Sequence, residues 1–272
     1  MPSGLCAARA PRPRKQRVRV AQSGVSRHRR PACRQGACVV RSLYAVCLLI
    51  CAHASSSQAA LTVTGTRFVY AADTRALTVR ISNGGEAPIL AQSWLDRGQI
   101  NQDPSGLSVP FVVSRPLLRL DPGQRSALEV RYTGEALPAD RESLFWLNFL
   151  EVPPLPPRST HLLRLSYRLR MKLLFRPAGL TGSAEEAGRQ LTWRAHRKAL
   201  EACNKAPFFV SLTAQRLEPG AADEIQRSAT IAPFTCADFP LTEASATPDF
   251  IHYQFVADRG EMIDARAPVH HD

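Results

Sequence analysis

Leu162-Leu-Arg-Leu-Ser-Tyr-Arg-Leu-Arg-Met-Lys-Leu-Leu-Phe-Arg-Pro177 is the stretch on which the fold turns. Leu163, Leu165, Tyr167, Leu169 and Met171 alternate with Arg164, Ser166, Arg168, Arg170 and Lys172. Strict alternation puts every apolar residue on one face of a β-strand. A helix would set Leu163 and Leu165 on opposite sides. Pro177, which has no N–H for a ladder, predicts where the strand stops. Two readings follow from the pattern: a half-buried strand of a sandwich, or an edge strand that offers its apolar face and backbone to another chain.

On either side the chain reads as short apolar segments separated by turn residues. Upstream are Leu61–Tyr70, Ala76–Asn83, Ile89–Leu95, Phe111–Ser114, Ala127–Tyr132 and Leu144–Val152, which make the opening stretch the seventh strand. In Asp121-Pro-Gly123 proline presets φ and glycine accepts a positive φ, so a turn is expected there. Past the Gly-rich boundary after Pro177 come Gln190–Arg194, Leu200–Cys203, Phe208–Leu212, Ala229–Ile231, Phe239–Leu241 and Phe250–Val256. Composition alone would allow a helix over Glu185–Lys198, but Leu191, Trp193 and Ala195 alternate, so a strand is expected. The fold class predicted is all-β, in two immunoglobulin-like sandwiches of roughly 100 residues each, 60–177 and 178–272.

Residues 1–59 stand apart as a leader. They hold 11 of the 35 Lys and Arg residues and none of the 23 Asp and Glu residues. The rest of the chain, with 24 basic and 23 acidic residues, has a net charge of +1. The overall +12 is therefore no basic footprint on the folded part, and nucleic acid is not an expected partner. Arg41 followed by the apolar run to Ala54, then Ser57-Gln58-Ala59, has the anatomy of a secretory signal peptide, too short for a membrane span. Residues 1–38 read as an over-long start, with translation beginning near Val39 or Val40, or as a long basic n-region or disordered tail. Five cysteines (Cys6, Cys33, Cys38, Cys47 and Cys51) lie in this leader. The remaining pair, Cys203 and Cys236, is a disulfide candidate for an oxidising compartment. Its spacing is not that of a zinc site, and His270 and His271 read as a solvated tail, so no metal is expected.

Several spaced motifs now share one pattern. Leu137-Pro-Ala-Asp140-Arg-Glu142-Ser-Leu-Phe-Trp-Leu-Asn148-Phe-Leu-Glu-Val-Pro153-Pro154 resembles the signature of the PapD-like periplasmic pilus chaperones. Gly65-Thr-Arg67, Leu118-Arg-Leu-Asp-Pro-Gly123, Met171-Lys-Leu-Leu-Phe-Arg-Pro177 and Ile231-Ala-Pro-Phe234 are similar to further family motifs, in order. The resemblance implies two domains set at an angle in an L shape. It implies that Arg67 and Lys172 anchor the C-terminal carboxylate of a pilus subunit. Leu163, Leu165, Tyr167 and Leu169 would be the donor strand that fills the groove of an incomplete subunit, with Tyr167 in place of the usual aliphatic residue. Glu142, Arg176 and Asp258 would form an ionic cluster that fixes the interdomain angle. The short connection from Pro153 to Thr160 resembles that of the subgroup serving rod-like pili. Partners implied are pilus subunits and an outer-membrane usher, in the periplasm, with no cofactor and no membrane insertion of the mature chain.

Other classes fit less well. Residues 60–272 contain no Gly-x-Ser-x-Gly, no phosphate-binding loop and no metal-ligand spacing, so an enzyme is not expected. A surface-exposed adhesin or binding module built from the same sandwiches is the alternative.

Overall fold

The computed structural model describes residues 60–100, 102–154, 165–196, 199–218, 224–225, 228–241 and 249–271. The leader, the alternative start near Val39 or Val40, Leu163 and most of the Pro153–Thr160 connection lie outside these described residues. Among the described residues no helix is long and apolar enough to cross a membrane.

The first domain is a sandwich of two sheets. One has strand order β1-β3-β7-β5, with β1 Leu61–Val63, β3 Leu77–Asn83, β7 Arg125–Tyr132 and β5 Phe111–Val113. The other has order β2-β9-β8-β4-β6, with β2 Arg67–Ala71, β9 Tyr167–Arg176, β8 Ser143–Val152, β4 Ile89–Asp96 and β6 Leu117–Leu120. The expected single strand Leu61–Tyr70 is thus two strands in different sheets. Gly65, at φ +106°, turns the chain from one sheet to the other. The opening stretch is strand nine, not seven, because that split and the unforeseen β6 each add one. Between the sheets Tyr70, Phe111, Tyr132, Phe145 and Phe175 stack and tilt against one another, with ring centroids 4.6–6.4 Å apart.

The second domain has its own core around Trp193, Leu200, Val210, Leu212, Ile251, Tyr253 and Phe255. Its strands form one continuous eight-stranded sheet: β10 Thr192–His196, β11 Ala199–Cys203, β12 Val210–Glu218, β13 Glu224–Ile225, β14 Ala229–Ile231, β15 Cys236–Pro240, β16 Phe250–Val256 and β17 Met262–His271. The segment Glu185–Lys198 contains both alternatives in succession. Helix α1 covers Ala184–Arg189, and β10 follows. Ser183 caps the helix by accepting the Glu186 N–H at 3.1 Å, and Glu185 pairs with Arg189 one turn on. Strand β17 was not foreseen, because its inward residues Ile263, Ala265 and Ala267 are mostly small and Pro268 interrupts the run. His270 and His271 belong to this strand and are exposed, so they are an ordered strand end rather than a tail. Cys203 and Cys236 face each other across β11 and β15 and are disulfide-bonded, with Cα atoms 4.0 Å apart.

Candidate functional site

β2 and β9 run parallel, and their register sets Arg67 beside Lys172. Arg67 is buried at 7% exposure, where each guanidinium donor left without an acceptor costs stability. One Nη donates to the Val256 carbonyl at 2.6 Å. Its Nε and other Nη are buried and meet no acceptor among the described residues. The Lys172 ammonium donates to the hydroxyls of Ser211 at 2.8 Å and Thr230 at 2.5 Å, both in the second domain. Burial, and then the neighbouring Arg67 charge, lowers the Lys172 pKa to about 8. Burial also lowers Arg67 below the ordinary arginine value. Two cations stand side by side, and the guanidinium donors without an acceptor among the described residues are groups that an anion would satisfy.

A second cluster lies on the same face of β9. Arg176 donates to Glu142 at 2.7 Å and to both Asp258 oxygens at 2.7 and 2.8 Å. The structure thus brings together Glu142, Arg176 and Asp258. Glu142 is buried, and that burial raises its carboxyl pKa despite the Arg176 charge. Its other oxygen accepts the Phe209 N–H at 2.8 Å, and its own N–H donates to the Pro207 carbonyl. The chain from Glu142 through Arg176 to Asp258 therefore ties the first domain to two segments of the second. Gly260 sits at the same junction: a Cβ there would lie 2.5 Å from Thr66 Oγ1, and its φ of +94° favours glycine.

The opposite face of β9 changes character along its length. Phe175 and Leu173 are buried in the first core, and Met171 and Leu169 are partly buried against it. Tyr167 is exposed at 37% and Leu165, just before the strand, at 55%. One apolar stripe thus runs out of the core into solvent. Leu169 belongs partly to its own domain, so Leu165 and Tyr167 are the more exposed residues of the stripe. The edge changes at the same place. β8 pairs with β9 from Tyr167 to Phe175, whereas β2 pairs only from Lys172 to Arg176. Over Tyr167–Met171 one edge of β9 is open among the described residues.

One network escaped the sequence reading. Asp96, fully buried on β4, accepts from Arg168 at 3.1 Å and Arg170 at 2.8 Å. Asn148 on β8 donates to Asp96 and accepts from both arginines. Arg168 lies over Trp94 and Arg170 over Trp146, at 4.8 and 4.7 Å. Three strands thereby fix the polar face of β9, so that its apolar face points the other way. The alternation of arginines was visible in the sequence; their partner was not.

Residues 60–181 match the family described as pili and flagellar-assembly chaperone, PapD N-terminal domain, and residues 186–267 match pili assembly chaperone PapD, C-terminal domain. The probable fimbrial chaperone YadV of Escherichia coli K12 is 35% identical over 235 residues, covering 82% of this chain and 96% of that protein. Among solved structures, the Pseudomonas aeruginosa CupB2 chaperone is similar with a TM-score of 0.66 at 33% identity, over 76% of this chain and all of the other. The SafB chaperone of Salmonella enterica, solved in complex with the SafA pilin, gives 0.68 at 28% identity, over 79% of this chain and 98% of the other.

Proposed function

Since the chain belongs to the PapD family of pilus assembly chaperones, a class without catalytic chemistry, we propose that it captures pilus subunits by lending them the exposed end of β9. The observation that carries this reading is the coincidence on β9 of an apolar stripe leaving its own core and a ladder edge left open. A subunit lacking its last strand has the complementary defect, an apolar groove flanked by unpaired backbone groups. Filling that groove with Leu165 and Tyr167 contributes about 1.5–3 kcal/mol for each large apolar side chain fully buried.

Arg67 and Lys172 mark where the captured chain ends. A carboxylate held there would neutralise both cations and supply the acceptor that Arg67 lacks. A strand that ends at Arg67 and lies along Tyr167–Met171 must run in the same direction as β9. It occupies the line of β2, stopping where β2 begins. The anchor therefore sets register, and a slip of one residue would point the wrong face at the groove. Glu142, Arg176 and Asp258 hold the two domains, 60–177 and 178–272, so that Ser211 and Thr230 stay beside Lys172. The leader directs the chain to the periplasm and is removed, and the loaded chaperone passes its subunit to an outer-membrane usher.

The decisive experiment is co-purification of subunits from the periplasm with Lys172→Ala. The variant stays folded by circular dichroism and loses its subunit. A folded variant that retains subunit as well as the parent would sink the anchor assignment.

A further inference from the structure

Glu151 is a carboxylate in an apolar series. On β8, Phe145, Leu147 and Phe149 turn alternate side chains into the first core, and Glu151 is the next in that series, at 7% exposure. It stands opposite Tyr167 on β9 and Ala91 on β4. Its Oε2 accepts the Leu61 N–H at 2.8 Å, a contact that bridges the two sheets. Among the described residues no other hydrogen bond reaches this carboxylate. One neutral amide is a poor match for a buried negative charge, which calls for a cation.

The position of that amide supplies one. Leu61 opens the first strand, and Ala60 before it is held in place. The Gly84 N–H donates to the Ala60 carbonyl at 2.7 Å. A Cβ on Gly85 would lie 2.7 Å from the Ala60 Cβ, so this close seat needs glycine at 85. Ala60 is also the residue that follows the small-residue cleavage site Ser57-Gln58-Ala59. Hydrolysis of the Ala59–Ala60 bond consumes one water and leaves a carboxylate on the leader and an amine on Ala60. That amine is largely protonated at neutral pH.

We propose that Glu151 is the docking site for the α-ammonium group that leader removal creates on Ala60. In the precursor Glu151 receives the neutral Leu61 amide. In the mature chain it gains an ion pair at the end of the sandwich, beside Tyr167. Processing thus completes the domain from which β9 is presented. The inference rests on cleavage at Ala59–Ala60 and is independent of the subunit-capture reading.

The test uses the mature protein from the periplasm and the same chain carrying a Gly-Ser-Gly extension before Ala60, each with and without Glu151→Gln. Intact mass first locates the natural N-terminus, and a start other than Ala60 overturns the proposal at its premise. Urea unfolding should then show Glu151→Gln costing the natural form on the order of tenfold more in its folding constant than the extended form, the difference between a charged and a neutral hydrogen bond. Equal losses in the two backgrounds overturn the ion pair. A second reading needs no variant: the pH dependence of acylation of the Ala60 amine should place its pKa above the ordinary range of about 7.7–8.0. An ordinary value also overturns it.

Discussion

Arg67 and Lys172 are direct neighbours across a parallel ladder, and each also bonds to the second domain, Arg67 through the Val256 carbonyl and Lys172 through Ser211 and Thr230. Two like charges are therefore held together at the junction of the domains. That arrangement disfavours the charged form of Lys172 and so costs stability in the free protein.

Removing the Lys172 charge should stabilise the free protein. Lys172→Met at pH 7 is expected to raise the unfolding free energy by on the order of 1–2 kcal/mol, after allowing for the partial exposure of the ammonium. The folded pKa of about 8 lies below the ordinary lysine value of 10.5. The unfolded state therefore binds more protons between these values, and the wild type gains stability as pH rises through that window. Urea unfolding of both proteins from pH 7 to pH 10 should show their difference shrinking. A constant difference would mean that the charge is not its source.

The two ends of the β9 apolar stripe should respond oppositely. Leu165→Asp, at an exposed position, should change stability by less than about 0.5 kcal/mol yet abolish subunit capture. Leu173→Ala, on the fully buried part, should cost about 2–5 kcal/mol. Thermal unfolding together with periplasmic co-purification separates the two effects.

Asp96 should govern the order of the presented strand. Asp96→Ala leaves Arg168 and Arg170 without their carboxylate and should destabilise the first domain by about 3–5 kcal/mol. Hydrogen exchange should speed up at Tyr167–Met171 more than at Leu173–Phe175, because the first segment has a ladder partner on one side only. Uniform acceleration along β9 would argue that Asp96 serves global stability alone.

The Cys203–Cys236 bridge should be present in the exported protein, seen as two hydrogens missing from the intact mass before reduction. It closes a loop with a sequence separation of 33. Cys203→Ser with Cys236→Ser should lower stability by about 3–4 kcal/mol on the chain-entropy account, measured by denaturant unfolding. A loss near zero would place the bridge in a part of the domain that stays ordered when unfolded.

Local pattern was enough for the elements that alternate strongly. The alternation from Tyr167 to Lys172 and within Phe250–Val256 announced strands, Pro177 announced where the first of them stops, and Ser183 with Glu186 announced the helix start that the strand reading passed over. The two cysteines outside the leader had only each other to pair with. The roles proposed for Arg67, Lys172, Glu142, Arg176 and Asp258 came from family resemblance, since no periodicity distinguishes them from surface charges.

What the sequence by itself determined was the face each β9 side chain takes, because alternation is fixed by the geometry of the strand. What only the tertiary structure decided was which partners meet those faces. Asp96 reaches Arg168 and Arg170 from 72 and 74 residues away, and Glu151 reaches Leu61 across 90. It also decided that β2 begins only at Arg67 and leaves the Tyr167–Met171 edge open. Long-range register depends on how whole sheets pack and cross, and a pattern repeating every second residue carries no record of which distant strand lies alongside.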